Sequence, residues 1–396
     1  MGDIMEEKKN IPEIRFEGFV GEWEESFLDR VADVRDGTHA SPKYLLQGHP
    51  FITSKNLKNG DISYEDINYI SDIDFNEINK RSKVDINDIL MGMIGTIGNI
   101  ALIKKSPDFA IKNVALIKDT GKVYYLYLYY YFHINFLTKQ LINGMDGGTQ
   151  KFIALNKIRK LSVLLPSKTE QSQIGTFFQN LDKQITLEQQ KHDKLVTLKK
   201  AMLEKMFPKE GASVPEIRFD GFEGEWIAII LKEISNITIG EFVIRTKQNP
   251  NSLYPVYNGG KSYTGFYDEY NNEGDKVLIS ARGANAGFVN IVTSRYWAGN
   301  SCYSVDLIDK NLFNTDFIYQ FMKNNQNRLI DNQQAANIPS VSKSEVEKFV
   351  ILSPIFEEQN QIATYFQNLD KLISLQQQKI DKLKNIKKAC LDKMFV

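Results

Sequence analysis

The residues from Glu170 to Phe207 recur from Glu358 to Phe395 with 26 of 38 positions identical, down to the run Gln-Asn-Leu-Asp-Lys that starts at Gln179 and again at Gln367. A shorter echo opens each copy: PEIRFEGFVGEW from Pro12 to Trp23 returns as PEIRFDGFEGEW from Pro215 to Trp226. The chain is a tandem duplication in which each repeat runs short motif, long variable segment, helix. The intervening segments agree poorly in residue identity, the reverse of what duplication and uniform drift leave. One scaffold carrying two different inserts predicts a protein that reads two different things at a fixed separation.

The repeat splits 396 residues near position 210 into two halves of ordinary domain size. A composition of 42% hydrophobic and 25% charged residues is that of a globular chain able to bury a core in each half. Cys302 and Cys390 have no metal spacing, which fits a reducing cytosol better than a disulfide scaffold. The most apolar window, Val123 to Leu137, is too short to span a bilayer and reads as a buried helix with His133 as a core residue, and the opening MGDIMEEKKN lacks a signal-peptide core. These features predict no membrane association. The 49 basic and 49 acidic residues cancel, so a nucleic-acid reader would have to gather its Lys and Arg on one face.

From Glu170 to Phe207 there is no proline, and Ile174, Phe177, Leu181, Ile185, Leu195, Leu198, Met202 and Met206 recur mostly at spacings of three and four. That pattern is an amphipathic helix, with Ser167 and Glu170 spaced for a capping box and Pro208 as its stop. The second copy repeats the stripe with Ile362, Tyr365, Leu369, Ile373, Ile380, Leu383, Cys390 and Met394. Equivalent helices in a duplication can meet head to tail, which predicts a two-stranded antiparallel coiled coil. The alternative, each helix packing on its own domain, stays open at this point.

Each variable segment shows short alternating apolar runs followed by a helix, near Tyr124 to Ile142 in the first and Asp316 to Ile330 in the second. The fold class is therefore α+β, a mixed module on each of two long shared helices. Pro50 to Asp88 spans 38 positions where the apparent counterpart, Pro255 to Asp275, spans 20. Loops changed while the framework stayed, as expected where recognition resides.

No Walker loop, metal-spaced His/Cys cluster or nucleophile elbow occurs. The run MGMIGTIGN from Met91 suits a glycine-rich tight turn between strands better than a phosphate cradle; its counterpart ARGANAG adds Arg282 and Asn285, side chains able to pair with base edges. Asp36-Gly37-Thr38-His39 is either a ligand-contacting turn or ordinary turn chemistry. The polar loops Asn143 to Lys151 and Asp331 to Asn337 offer amides without paired carboxylates, which fits hydrogen-bond recognition better than acid–base catalysis.

Taken together, the paired ends, the helices with EQSQIGTFFQNLDKQI and EQNQIATYFQNLDKLI, DGTH at Asp36 and YPVYNGG at Tyr254 resemble the specificity (S) subunit of type I restriction-modification systems over nearly the whole chain. The resemblance implies a tail at 1–11, target recognition domains at 12–166 and 208–353, and spacer helices at 167–207 and 354–396. It implies a cytoplasmic prokaryotic protein that binds double-stranded DNA at a bipartite asymmetric site and docks two methyltransferase (M) subunits and restriction (R) subunits. No catalysis is implied in this chain: S-adenosylmethionine, ATP and Mg2+ would act on the partners. Candidate DNA contacts are Thr38, His39, Lys55, Asn56, Thr96, Asn99 and Gln150 in the first domain, and Asn258, Lys261, Tyr263, Arg282, Asn285, Gln334 and Asn337 in the second. The rival reading is a non-DNA scaffold with two ligand-binding modules on a coiled-coil spacer.

Overall fold

The computed structural model describes residues 10–149, 151–331 and 339–396. They form two compact units: one runs to Glu188 and takes in Lys379–Val396, the other is Gln189–Gln378. The unit boundary thus falls inside each long helix, not near position 210.

In the first unit a four-stranded antiparallel sheet has the order Asp33–Asp36, Val114–Lys118, Ile89–Gly92, Ile100–Leu102. A three-stranded sheet sets His49–Ile52 between Asn68–Ile70 and Ala110–Ile111, and Glu24–Phe27 pairs with Ser162–Leu165. The strands at the middle of the four-stranded sheet are buried on both faces, which is why they read as continuous apolar runs, Ile89-Leu90-Met91 and Val114 to Ile117, instead of alternating.

The second unit repeats this plan. Its four-stranded sheet runs Ser235–Ile239, Cys302–Leu307, Lys276–Ser280, Val289–Val292, its three-stranded sheet centres on Tyr254–Tyr257, and Ile227–Ile230 pairs with Val350–Ser353. The short hairpin Leu57–Lys58 with Asp61–Ile62 and the helix Asp72–Ser82 have no counterpart among its described residues. They occupy the stretch whose length differs between the copies.

The aromatic helix expected over Tyr124 to Ile142 is two helices, Tyr125–Tyr131 and Asn135–Gly144. The corresponding element of the second unit likewise breaks into Thr315–Asn324 and Asn327–Ile330. His133 lies in the break and is exposed, with its ring bonded to the Tyr129 carbonyl, so it is not a core residue.

The two long helices are Lys168–Lys205 and Phe356–Met394. Within the first unit the start of one lies against the end of the other: Asp182 accepts from Lys387 at 2.6 Å and Glu188 from Lys379 at 2.9 Å. Within the second, Lys199 donates to Asp370 at 2.5 Å. Partner numbers fall on one side as they rise on the other, which is antiparallel packing. Of the expected stripe, Ile174, Leu181, Ile362, Leu369 and Met394 are buried, while Phe177, Ile185, Leu195, Met202, Tyr365, Ile373 and Leu383 are half-buried. Both readings of the helices hold in part, because each also packs its first turns into its own unit's core.

That core is closed by a phenylalanine arriving on the other helix. Phe395 packs edge-on or tilted against Trp23, Tyr127 and Tyr131 and stacks on Phe178 at 5.7 Å; Phe207 does the same with Trp226, Phe317, Phe321 and Phe366 at 5.9 Å. The opening motif is pinned beside it. Arg15 makes a bidentate pair with buried Glu170 at 2.7 and 2.8 Å, and Arg218 with buried Glu358 at 2.7 Å on both arms. The capping box expected at Ser167 is only half formed: the Glu170 amide donates to Ser167 Oγ, while the Glu170 carboxylate is spent on Arg15. This explains why the motif and the helix are duplicated together, since one supplies the guanidinium and the other the carboxylate.

Candidate nucleic-acid interface

Antiparallel pairing brings the ends of alternate strands to one edge of each sheet. In the first unit Asp36, Gly92, Ile100 and Val114 share that edge, and the loops hung from it form a rim. Gly37 is fixed by close approach, because a Cβ there would lie 2.3 Å from the Ile111 carbonyl oxygen. The turn lets Thr38 bridge to Lys112 and exposes His39.

His39 is held by Asp36 at Nε2 (2.9 Å) and by the Asn113 side chain at Nδ1 (2.7 Å), and Asp36 also takes Arg81. Asn113 has a left-handed φ of 53°, a conformation asparagine tolerates better than most residues. Its carbonyl accepts from Ser54 Oγ at 3.0 Å, and Ser54 Oγ in turn accepts from the Met93 amide at 3.2 Å. Asn113 therefore ties three rim loops together, a role the sequence reading missed; an asparagine just before a strand was the available signal.

Thr96 and Asn99 are exposed on the neighbouring turn, with Thr96 Oγ donating to the Ser54 carbonyl at 2.6 Å and Asn99 Nδ2 to that of Leu57 at 2.9 Å. Lys55 is exposed and donates to the Asp66 carbonyl. Asn56 corrects the expectation of a contact residue. It is 1% exposed, its Oδ1 accepts from the Thr53 amide and hydroxyl, and its Nδ2 donates to the Ser63 carbonyl, so it builds the loop. Gln150, Gln334 and Asn337 lie outside the described residues.

The second rim stands on the same frame. A Cβ on Gly240 would lie 2.1 Å from the Ala298 carbonyl oxygen, and the next residue, Glu241, bridges to Gly299. Where the first unit presents Thr38 and His39, the second presents Glu241 and Phe242, the latter 73% exposed and overlooked in the sequence reading. Arg282 bridges through its backbone to Ser340, and its exposed side chain has no hydrogen bond or ion pair among the described residues. Lys261 and Tyr263 are exposed and Asn285 half-exposed on the flanking loops. Asn258 is a brace: its Oδ1 accepts from the Ser301 amide at 3.1 Å and packs on Gly299.

Among the described residues no cluster of His, Cys, Asp and Glu could hold a metal ion, and burial pushes the Cys302 thiol up to about 12, leaving it protonated at neutral pH. No described helix is long and apolar enough to cross a membrane.

A second pair of surface features repeats with the scaffold. Phe16, Ser172, Gln173, Thr176, Phe177 and Asn180 line an open hollow of about 340 Å³. Phe219, Asn360, Gln361, Thr364, Tyr365 and Asn368 line another of about 360 Å³. Position for position these are the same places in the two copies.

Two α+β modules, each with a loop-bearing rim and each completed by a pair of shared helices, define a duplicated recognition protein. The family model for the type I restriction modification DNA specificity domain matches residues 21–197 and again 223–385. The chain belongs to that family, whose specificity subunits are non-catalytic. It is 23% identical to the type I restriction enzyme MjaX specificity subunit of Methanocaldococcus jannaschii over 94% of this chain and 92% of the relative. The crystal structure of a type I restriction-modification S subunit from M. genitalium shares the fold with a TM-score of 0.71 at 15% identity, covering 98% of this chain and 99% of that one. A structure from work on complex assembly and conformational transition of the type I R-M system matches at a TM-score of 0.54 and 18% identity, over 93% of this chain and 96% of that one.

Proposed function

We propose that this specificity subunit reads a bipartite, asymmetric site on double-stranded DNA, one half per rim. The observation that carries the reading is that one backbone frame, floored by Gly37 and Gly240, carries different side chains at equivalent positions: Thr38 and His39 against Glu241 and Phe242. Unlike readers on like frames give a target without two-fold symmetry, whereas identical readers would give a palindrome. Exposed lysines on the loops supply phosphate contacts that set register, and amides, hydroxyls and Arg282 supply base contacts.

The long helices set the gap between half-sites. A rod of 38 residues at about 1.5 Å per residue is on the order of 57 Å, far more than one module needs to cover its own core. The shared surfaces, including the paired hollows at Phe16 and Phe219, offer the same chemistry twice and suit two copies of one partner. In this reading those are two M subunits that transfer a methyl group from S-adenosylmethionine to adenine, joined by R subunits that use ATP and Mg2+ for translocation and cleavage.

The test is a seven-residue insertion in each long helix at matched positions, followed by mapping of methylated adenines in cells. The expected outcome is a changed gap between two unchanged half-sequences. Altered half-sequences with the original gap would defeat the spacer assignment.

A further inference from the structure

On the second rim, Phe288 is approached by two ammonium groups. Lys323 Nζ lies 3.3 Å from its ring centroid and Lys261 Nζ 5.9 Å away. They arrive from separate elements: Lys261 from the loop after Tyr254–Tyr257, Phe288 from the turn before Val289–Val292, Lys323 from the last turn of Thr315–Asn324. Hydrogen bonds hold the ammonium there, since Lys323 Nζ donates to the Val289 carbonyl at 2.8 Å and to the side-chain Oε1 of Gln326 at 3.2 Å. Phe288 directly follows the loop that carries Arg282 and Asn285.

Among the described residues neither ammonium has a carboxylate partner. The acid on the facing helix, Asp370, is engaged by Lys199 and Gln320. Burial first, then the charges of Lys199 and Lys261, hold the Lys323 ammonium down to about 8. A ring face offsets part of the cost of a half-buried cation, but two cations about one ring repel each other. An anion from outside would be met by Lys323 giving up its longer bond to Gln326 Oε1, an oxygen that keeps the Val289 amide as a donor at 3.2 Å.

We propose that Lys323, with Lys261, takes a DNA phosphate and so sets the register of the second unit on the duplex. The inference rests on the DNA reading above and adds a site to it. A phosphate contact carries no base information; it contributes affinity that is equal for all sequences and falls with salt.

Its signature includes a pH dependence with a definite sign. Below about pH 7 Lys323 is charged both free and phosphate-bound, so its contribution is constant. Above about pH 8 the free site loses its proton while the bound site keeps it, so affinity falls by up to about tenfold per pH unit. The experiment measures binding of the full chain to a labelled duplex against salt and against pH. Lys323→Met is expected to weaken binding equally on the methylation-mapped site and on a scrambled duplex, to cut the logarithmic salt slope by about 0.9, and to abolish the alkaline fall. Lys323→Arg should keep the salt slope and lose the alkaline fall, which separates charge from mere packing. Lys261→Met, at an exposed position, should shift the fall to higher pH by removing a repelling charge. Salt-dependent binding by the wild-type chain with unchanged slope and pH profile in Lys323→Met would overturn this assignment alone; wild-type binding that ignores salt would overturn the DNA reading and this site with it.

Discussion

The two helix seams match in their ring packing and in the buried ion pair beside it, and the two rims do not. Phe395 among Trp23, Tyr127, Tyr131 and Phe178 has its equal in Phe207 among Trp226, Phe317, Phe321 and Phe366, and Arg15 with Glu170 has its equal in Arg218 with Glu358. On the rims only the backbone agrees. Buried aromatic packing and a buried ion pair are each intolerant of change, so the seam stays uniform, whereas an exposed loop on a fixed frame can change its side chains at little cost to stability. The difference separates what holds the molecule together from what it addresses.

The most severe way to probe the seam is Phe395→Ala. It should cost about 3–5 kcal/mol and loosen the first unit while sparing the second, with Phe207→Ala giving the mirror result. Hydrogen exchange around Tyr127 and Phe317 would report which core opens, and equal opening of both cores by either variant would break the equivalence. Arg15→Ala comes next. It strands the Glu170 carboxylate in a buried place and should cost about 3 kcal/mol, more than the joint change Arg15→Met with Glu170→Leu, as thermal unfolding would show. The smallest effect, at about 1–3 kcal/mol of DNA affinity, belongs to Arg282→Ala on the rim, which should relax one position of one half-site and leave stability untouched. Unchanged methylation patterns would remove Arg282 from the base contacts.

The long helices were legible because apolar residues recur at helical spacing over about ten turns with one gap, between Ile185 and Leu195, and no proline interrupts them, and the duplication pointed to an antiparallel orientation. The key aromatics were less so. In the adjacent pair Phe177-Phe178 spacing favours the first, yet Phe178 is the fully buried one and Phe177 packs edge-on against Phe16. A stripe fixes a face only to within a residue, and here the second layer of packing, the recognition module, decides. On the rims, Asn56 and Asn258 show why amides mislead: bonding one's own backbone and bonding a ligand draw on the same donors and acceptors. The break after Tyr131 was hidden because the apolar run continues through Phe132 and Ile134, both buried.

The division of the chain also bears on the order of events at the ribosome. The second unit is one continuous stretch, while the first waits for Lys379–Val396, synthesised about 190 residues after Glu188. At roughly 5–20 residues per second that is a delay of about 10 to 40 seconds during which Trp23, Tyr127 and Tyr131 lack their closing ring. The amino-terminal reader is therefore completed last, in reverse of the direction of translation.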